Sequence, residues 1–262
     1  MPEGDTVWRT ALHLDRALSG ATLVESDFRV PSYATLNLAG ELVDSTVARG
    51  KHLLTRIGGR TLHTHLKMEG AWHLYKSGTA WRRPAHEARV VLRTADWTAV
   101  GFALGVVEVV ARADEDSVVG HLGPDLLGPD WDEDEAMRRL TGDPSRPVGE
   151  ALLDQRCLAG IGNLYKAEAL FVSGVNPWTR VREVPDLRTL VRTARRMLLA
   201  NRQRVRQTTT GVDRRGQESW VYGRAQKSCR RCGTRIETGW QGPPLQERVT
   251  FWCPRCQPAP DG

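Results

Sequence analysis

Four cysteines near the end of the chain, Cys229-x2-Cys232-x20-Cys253-x2-Cys256, restrict the fold more than any other feature of the sequence. Two close thiol pairs, one followed by Gly233 and the other enclosing Pro254, have the spacing of a tetrahedral zinc site built on a β-hairpin ribbon. All four ligand positions are cysteine, so no coordination position is left open for a substrate. One structural Zn2+ per chain is expected, and its binding energy should serve folding rather than catalysis. The fifth cysteine, Cys157, stands alone, and a disulfide framework is not indicated.

A ribbon of this kind is small, and 262 residues leave room for two further cores. The net charge of +6 conceals a strong asymmetry. Residues 180–235 carry 16 Lys/Arg against 4 Asp/Glu, whereas residues 108–143 carry 3 against 11. The basic stretch calls for a polyanionic partner, with a merely solvated helix face as the alternative. No apolar run approaches the ~18 residues of a membrane span, and no signal-peptide pattern opens the chain. A cytoplasmic protein is expected, nucleoid-associated if bacterial.

Val7, Ala11, Leu14 and Leu18 recur at helical spacing before Gly20, which predicts an amphipathic helix over residues 6–19, capped by Asp5 or Thr6. Short β-rich runs then follow to about Ala111, among them Val43–Ile57, Thr61–Leu66, Ala88–Arg93 and Trp97–Phe102, and read as a β-sandwich or barrel. Gly, Pro and Asp crowd residues 112–131, an expected linker. Beyond it come a helical segment, residues 132–219, and the zinc finger, residues 220–262. The fold class is therefore α+β, with residues 1–111 as an N-terminal domain. A long Arg-studded helix is predicted over Leu187–Arg206, and a mobile loop over Thr208–Ser219.

Several residues invite a chemical reading. Removal of Met1 would leave the secondary amine of Pro2 at the head of the first helix. An α-amine has a pKa near ~8 against ~10.4 for lysine, so far more of it is nucleophilic at neutral pH, and Glu3 beside it can move protons. Lys51 follows a glycine at the start of an apolar strand, where a solvating edge charge is the plainer reading. His63 and His65 share a strand face, but no carboxylate or cysteine accompanies them in the sequence, which favours structural histidines over a metal site. Met68, in Leu66-Lys67-Met68-Glu69-Gly70, falls on a turn tip, where an unbranched apolar side chain can wedge between bases. Gly160-Ile161-Gly162-Asn163 leads into a helix whose N-terminus favours an anion, and Arg248 lies on the strand leading to Cys253.

In this order along the chain these residues resemble the formamidopyrimidine-DNA glycosylase and endonuclease VIII family of DNA repair glycosylases. The resemblance covers almost the whole sequence: Pro2-Glu3, Gly50-Lys51-His52-Leu53-Leu54, Leu122-Gly123-Pro124-Asp125, Ala151 through Tyr165, Val221-Tyr222-Gly223-Arg224, and Arg248 through Gln257. It implies a helix-flanked β-sandwich, a helix-two-turn-helix module and a zinc finger, with damaged DNA bound between domains by a monomer. It also implies that Pro2 attacks C1′ as a Schiff-base nucleophile, that Glu3 shuttles protons, and that Lys51 and Arg248 assist β- and δ-elimination. Asn163 would hold a phosphate flanking the everted nucleotide, while Lys67, Met68, His121 and Tyr222 would contact DNA. The opening Pro2-Glu3-Gly4-Asp5-Thr6 is similar to the endonuclease VIII branch, and Gly101–Gly105 lacks the Arg-Phe pair of the 8-oxoguanine branch. Excision of oxidised pyrimidines is therefore expected. The alternatives are an 8-oxoguanine or formamidopyrimidine glycosylase, and a zinc-ribbon nucleic-acid-binding protein without catalysis.

Overall fold

A computed structural model describes residues 2–259. The chain divides into two compact units, Met1–His121 and Leu122–Gly262.

The first unit opens with α1 (Gly4–Leu18), whose Val7, Ala11, Leu14 and Leu18 are all buried. The helix begins two residues before the predicted Thr6, with Glu3 at its N-cap position. Eight strands follow: β1 (Glu25–Phe28), β2 (Val43–Arg49), β3 (His52–Ile57), β4 (Arg60–His65), β5 (Ala71–Lys76), β6 (Ala88–Arg93), β7 (Trp97–Phe102) and β8 (Val106–Ala111). They pair antiparallel into two four-stranded sheets, β1-β6-β7-β5 and β2-β3-β4-β8. The apolar run Val43–Ile57 is thus two strands. Gly50 at φ 58° opens a two-residue turn between Arg49 and His52, with Lys51 second, the pattern of a type II′ hairpin.

Period-two alternation sorts the second sheet into two faces. Leu53, Ile57 and Leu62 point inward to meet α1 and Val90, Leu92 and Ala99 of the other sheet in one core. His52, Arg56, Thr61, His63, His65 and Glu108 occupy the opposite face. At one end of that face Arg56 and Thr61 both donate to Glu115, just ahead of the short α2 (Asp116–Val119). The paired Arg56 guanidinium holds the Glu115 carboxyl below its ordinary pKa.

The second unit is helical and then β. It contains α3 (Glu133–Leu140), α4 (Val148–Leu153), α5 (Asn163–Val172), α6 (Leu187–Asn201) and the antiparallel hairpin β9 (Glu237–Gln241) and β10 (Arg248–Trp252). Asp132 and Asp186 cap α3 and α6 by accepting from the N–H groups of Glu135 and Thr189. The basic face of α6 is partly consumed inside the fold. Arg188 and Arg192 both reach Glu133, and Arg195 donates to the Leu126 carbonyl. The helix stops at Asn201 rather than running to Arg206, because the Asn201 amide turns back on the chain. Its Nδ2 donates to the Met197 and Thr208 carbonyls, and its Oδ1 accepts from Thr208 N–H. No helix among the described residues is long and apolar enough to cross a membrane.

Candidate active site and nucleic-acid interface

Within the first unit, α1 and β2 run alongside one another in a register fixed by two bonds. Gly20 N–H donates to the Val43 carbonyl at 2.8 Å, and Thr46 N–H donates to Asp15 Oδ1 at 2.8 Å. Moving back along the helix therefore means moving forward along the strand. From Asp15 back to Gly4, and from Thr46 forward to Lys51, the chain spans about 16 Å in each case at the standard rises per residue. The head of α1 thus falls level with the β2–β3 turn. Pro2 is half-buried and Glu3 fully buried there, and Lys51 is half-buried on the turn.

A second turn at the same end of the sheet follows β4. Gly70 N–H donates to the Leu66 carbonyl, and Lys67 sits at φ 52°. A Cβ on Gly105 would fall 2.2 Å from Lys67 Cγ, so the glycine leaves room for the lysine stem. Met68 is 61% exposed. The Gly101–Gly105 segment offers no comparable projection: Phe102 and Leu104 are both buried, and a Cβ at Gly101 would strike Leu104.

Between these turns lies a histidine cluster whose organisation the sequence concealed. His63 Nδ1 bonds Glu108 Oε2 at 2.8 Å, and His63 Nε2 bonds His52 Nδ1 at 2.7 Å, with the two rings stacked. The carboxylate partner that is missing near His63 in sequence comes from β8, whose Glu108 is paired directly with His63. Burial, then its neighbours His65, His63 and His121 and then Lys67, push the His52 pKa down to about 3. Burial, followed by the charges of Lys67 and Lys51, lowers His65 to about 4. His65 Nδ1 accepts from Lys67 N–H, which leaves its Nε2 as the protonated nitrogen. His121 is exposed, its ring 6.1 Å from that of His52.

In the second unit, α5 and β10 bring Asn163 beside Arg248. Asn163 Nδ2 donates to the Val249 carbonyl at 2.8 Å, while its buried Oδ1 has no partner among the described residues. Below them the fully buried Lys166 donates to Thr250 Oγ1. Arg248 is exposed, and its side chain makes no hydrogen bond or ion pair among the described residues. It lines an open cleft of about 750 Å³ together with Arg146, Arg156 and Gln155. Arg146 and Arg156 are both spent on Asp154, whose carboxyl they hold well below its usual range, leaving Arg248 as the uncommitted cation of the three.

Glu168, fully buried on α5, accepts from the consecutive N–H groups of Trp220, Val221 and Tyr222 and from the Thr209 hydroxyl. Burial raises its pKa against those four donors. Both ends of the Thr208–Ser219 loop are thereby anchored, and Thr209 and Thr210 pair with Glu218 across it. Tyr222 packs its ring on Phe251. The four Sγ atoms of Cys229, Cys232, Cys253 and Cys256 lie within 4.8 Å of one another, with Cys229–Cys256 at 3.9 Å and Cys232–Cys253 at 3.4 Å. A tetrahedron of Zn–S bonds near ~2.3 Å has S···S edges of about 3.8 Å, so the four thiols fit a metal of that size.

A two-sheet sandwich whose first helix is preceded by Pro2 and Glu3, followed by a helical module and a four-thiol hairpin, is an architecture shared with DNA glycosylases. Solved structures share it: Lactococcus lactis formamidopyrimidine-DNA glycosylase bound to AP-site DNA has a TM-score of 0.81 at 22% identity, covering 98% of this chain and all of that one. MutM in complex with carbocyclic 8-oxo-G DNA gives 0.80 at 22% over the same shares. The formamidopyrimidine-DNA glycosylase N-terminal domain matches residues 1–103 and the H2TH domain residues 122–211. A Streptomyces coelicolor protein named a probable endonuclease 8 2 is 53% identical, covering 99% of this chain and 95% of its own length. A DNA-(apurinic or apyrimidinic site) lyase of Mycolicibacterium smegmatis, Nei2, is 51% identical over 99% of this chain and its own full length. A Symbiobacterium thermophilum formamidopyrimidine-DNA glycosylase is 34% identical over 88% of this chain and 78% of its own. The chain belongs to the formamidopyrimidine-DNA glycosylase and endonuclease 8 family.

Proposed function

We infer that this protein is a bifunctional DNA glycosylase and AP lyase of base excision repair. The observation that carries the reading is the placement of Pro2 and Glu3 at the head of α1, level with the Gly50-Lys51 turn. A secondary amine at that head can attack C1′ of a damaged nucleoside, displace the base and leave a covalent iminium, with Glu3 moving protons. Lys51 is assigned to the β-elimination that follows. Arg248 and Asn163, brought together by the α5–β10 contact, are assigned to phosphate, and Arg248 also to the δ-elimination. Asn163 already spends one Nδ2 hydrogen on Val249, so its remaining donor is the second one. Lys67, Met68, His121 and Tyr222 are assigned to DNA contact. Cys229, Cys232, Cys253 and Cys256 would hold zinc, which supplies the folding energy of the hairpin and no chemistry. A monomer acting in the cytoplasm goes with this reading.

Oxidised pyrimidines are the proposed substrates. The relatives at 51–53% identity carry endonuclease 8 and AP-lyase names, whereas a relative named for formamidopyrimidine is at 34%. Gly101–Gly105 carries no polar side chain, and its Phe102 and Leu104 are buried, so the segment offers no side-chain donor or acceptor to an orphan base, whose identity is read by such groups. Borohydride trapping on abasic-site DNA tests the chemistry: a covalent adduct should form with the mature protein, and Pro2→Gly or retention of Met1 should suppress it while DNA binding persists. Single-turnover excision compared across thymine glycol, dihydrouracil and 8-oxoguanine opposite cytosine tests the substrate class. A clear preference for 8-oxoguanine would reassign it.

A further inference from the structure

We propose that Arg82 binds a DNA phosphate beside the Met68 turn, on a segment that Phe102, Tyr75 and Arg83 hold in place. The inference rests on the DNA-binding reading above, and it adds a contact outside the basic stretch at residues 180–235.

The first unit carries a cationic region of its own: residues 67–93 contain 6 Lys/Arg against 2 Asp/Glu. Four of the six cations are committed within the fold. Arg93 pairs with Glu25 and Arg83 with Glu87. Arg89 donates to the His86 and Ala88 carbonyls, and the Lys76 ammonium lies 4.0 Å from the centre of the Trp97 ring. The two that remain are Lys67, on the Met68 turn itself, and Arg82. Arg82 is exposed, and its side chain makes no hydrogen bond or ion pair among the described residues. A guanidinium in that position gives the folded chain little, whereas against a phosphate it forms a charge-assisted pair and releases a counterion.

The backbone beneath Arg82 is fixed at three points. Trp81 meets the buried Phe102 edge-on, with 5.9 Å between ring centres. The Arg82 N–H donates to Tyr75 Oη at 3.1 Å, and that hydroxyl, on a buried tyrosine of β5, is also bonded to His73 Nδ1. Arg83 lies over the Phe102 ring, pairs with Glu87 and donates from Nη1 to the Glu69 carbonyl at 3.4 Å. Glu69 is the residue after Met68, so the segment and the turn are joined directly. His73, the third residue of β5, reports the same proximity: burial first, and then the charges of Arg83 and Arg82, lower its pKa. Duplex DNA carries one negative charge per ~1.7 Å of its axis. A side chain that enters the stack therefore brings its own turn against the phosphates of the flanking nucleotides, and a cation tied to that turn comes with it. The two neighbouring arginines thus differ in role. Arg83, already paired, positions the segment, and Arg82 makes the contact.

Equilibrium binding to a duplex holding a tetrahydrofuran abasic-site analogue, measured across salt concentrations, reads the contact. A side chain that neutralises one phosphate accounts for about 0.9 of the slope of log affinity against log salt. Arg82→Gln should lose affinity at low salt and flatten that slope by about 0.9, so that its deficit narrows about 3.5-fold between about 50 and about 200 mM salt. Arg82→Lys keeps the charge and should keep the slope. Borohydride trapping on abasic-site DNA at saturating enzyme should run at the wild-type rate in both variants, because Arg82 touches no reacting atom. Wild-type affinity and slope in Arg82→Gln overturn the proposal, and so does weaker binding with an unchanged slope, the mark of a structural role. Arg83→Gln is the matched control. It removes the same charge from the next residue and should leave the slope nearly as it is, since that charge is already paired with Glu87. An equal loss of slope in the two variants would mean a diffuse effect of net charge and would also overturn the contact. Trapping by the wild type separates this inference from the function it rests on. Absence of an adduct sinks the glycosylase reading and leaves the salt slope to decide Arg82, while normal trapping with an unchanged slope in Arg82→Gln removes the phosphate contact alone.

Discussion

Met68 is held out of the fold by its neighbours. Lys67 takes up a left-handed backbone conformation, its N–H is bound by His65 Nδ1, and Gly70 N–H closes the turn on Leu66, so the Met68 side chain has no packing to return to. An apolar side chain 61% exposed gains nothing in the free protein, and in the proposed function it fills the stack left by an everted base. Met68→Ala should therefore leave the thermal transition unchanged. It should slow excision from duplex DNA far more than from single strands, where no stack must be refilled. Equal losses on the two substrates would remove the wedge role. Gly105 tests the same turn from beneath: Gly105→Ala forces the Lys67 stem aside, and activity on duplex DNA should fall with little change in stability.

At the scale of elements, two devices set the second unit's functional surface. The first is the four-thiol hairpin, which carries Arg248 at the start of β10. Chelation, or Cys232→Ala, should loosen the hairpin and release Arg248, weakening DNA binding while the first unit's thermal transition stays in place. The second device is the clamp on the Thr208–Ser219 loop. Asn201→Ala removes three hydrogen bonds to the chain and strands the polar backbone of Thr208 in a buried setting, a cost of about 1–3 kcal/mol. Limited proteolysis should then cut within residues 208–219, where the wild type resists. These elements divide what could be read from the sequence from what could not. The helix at residues 6–19, the succession of strands and the four thiols were legible because periodicity and spacing are local properties. The loop clamp was not, because Glu168 and Asn201 act on backbone groups distant in the chain or around a bend, and a Thr- and Gly-rich segment carries no sign of such anchors. Glu108 was missed for the same reason: strand pairing alone brings it to His63. The basic stretch overstated the free positive surface, since Glu133 absorbs two arginines of α6.

For the whole molecule, the two units should answer to different denaturing conditions. In the first unit, His52 and His65 have folded pKa values of about 3 and about 4, below the ~6.5 of an unfolded histidine. Between those values the unfolded chain binds more protons than the folded one, so stability rises with pH across this window and is lost on acidification from about pH 6.5 downward. Each fully shifted histidine contributes a slope of about 1.4 kcal/mol per pH unit at most, less where water screens it. Glu115 works in the same direction at lower pH. Its folded pKa is depressed, so its pairing with Arg56 stabilises above the unfolded carboxyl value and is lost as pH falls through the folded one. On the proposed function the second unit would depend instead on a metal held by its four thiols. Calorimetry from pH 7.5 to 5 should thus leave the first unit's transition nearly unmoved until about pH 6.5 and lower it progressively below that, and chelator at pH 7.5 should move only the second unit's. His52→Gln removes one of the two histidine contributions and should flatten the pH dependence of the first transition between pH 5 and 6.5. An unchanged slope in that variant would mean that the cluster is not what makes this unit sensitive to acid.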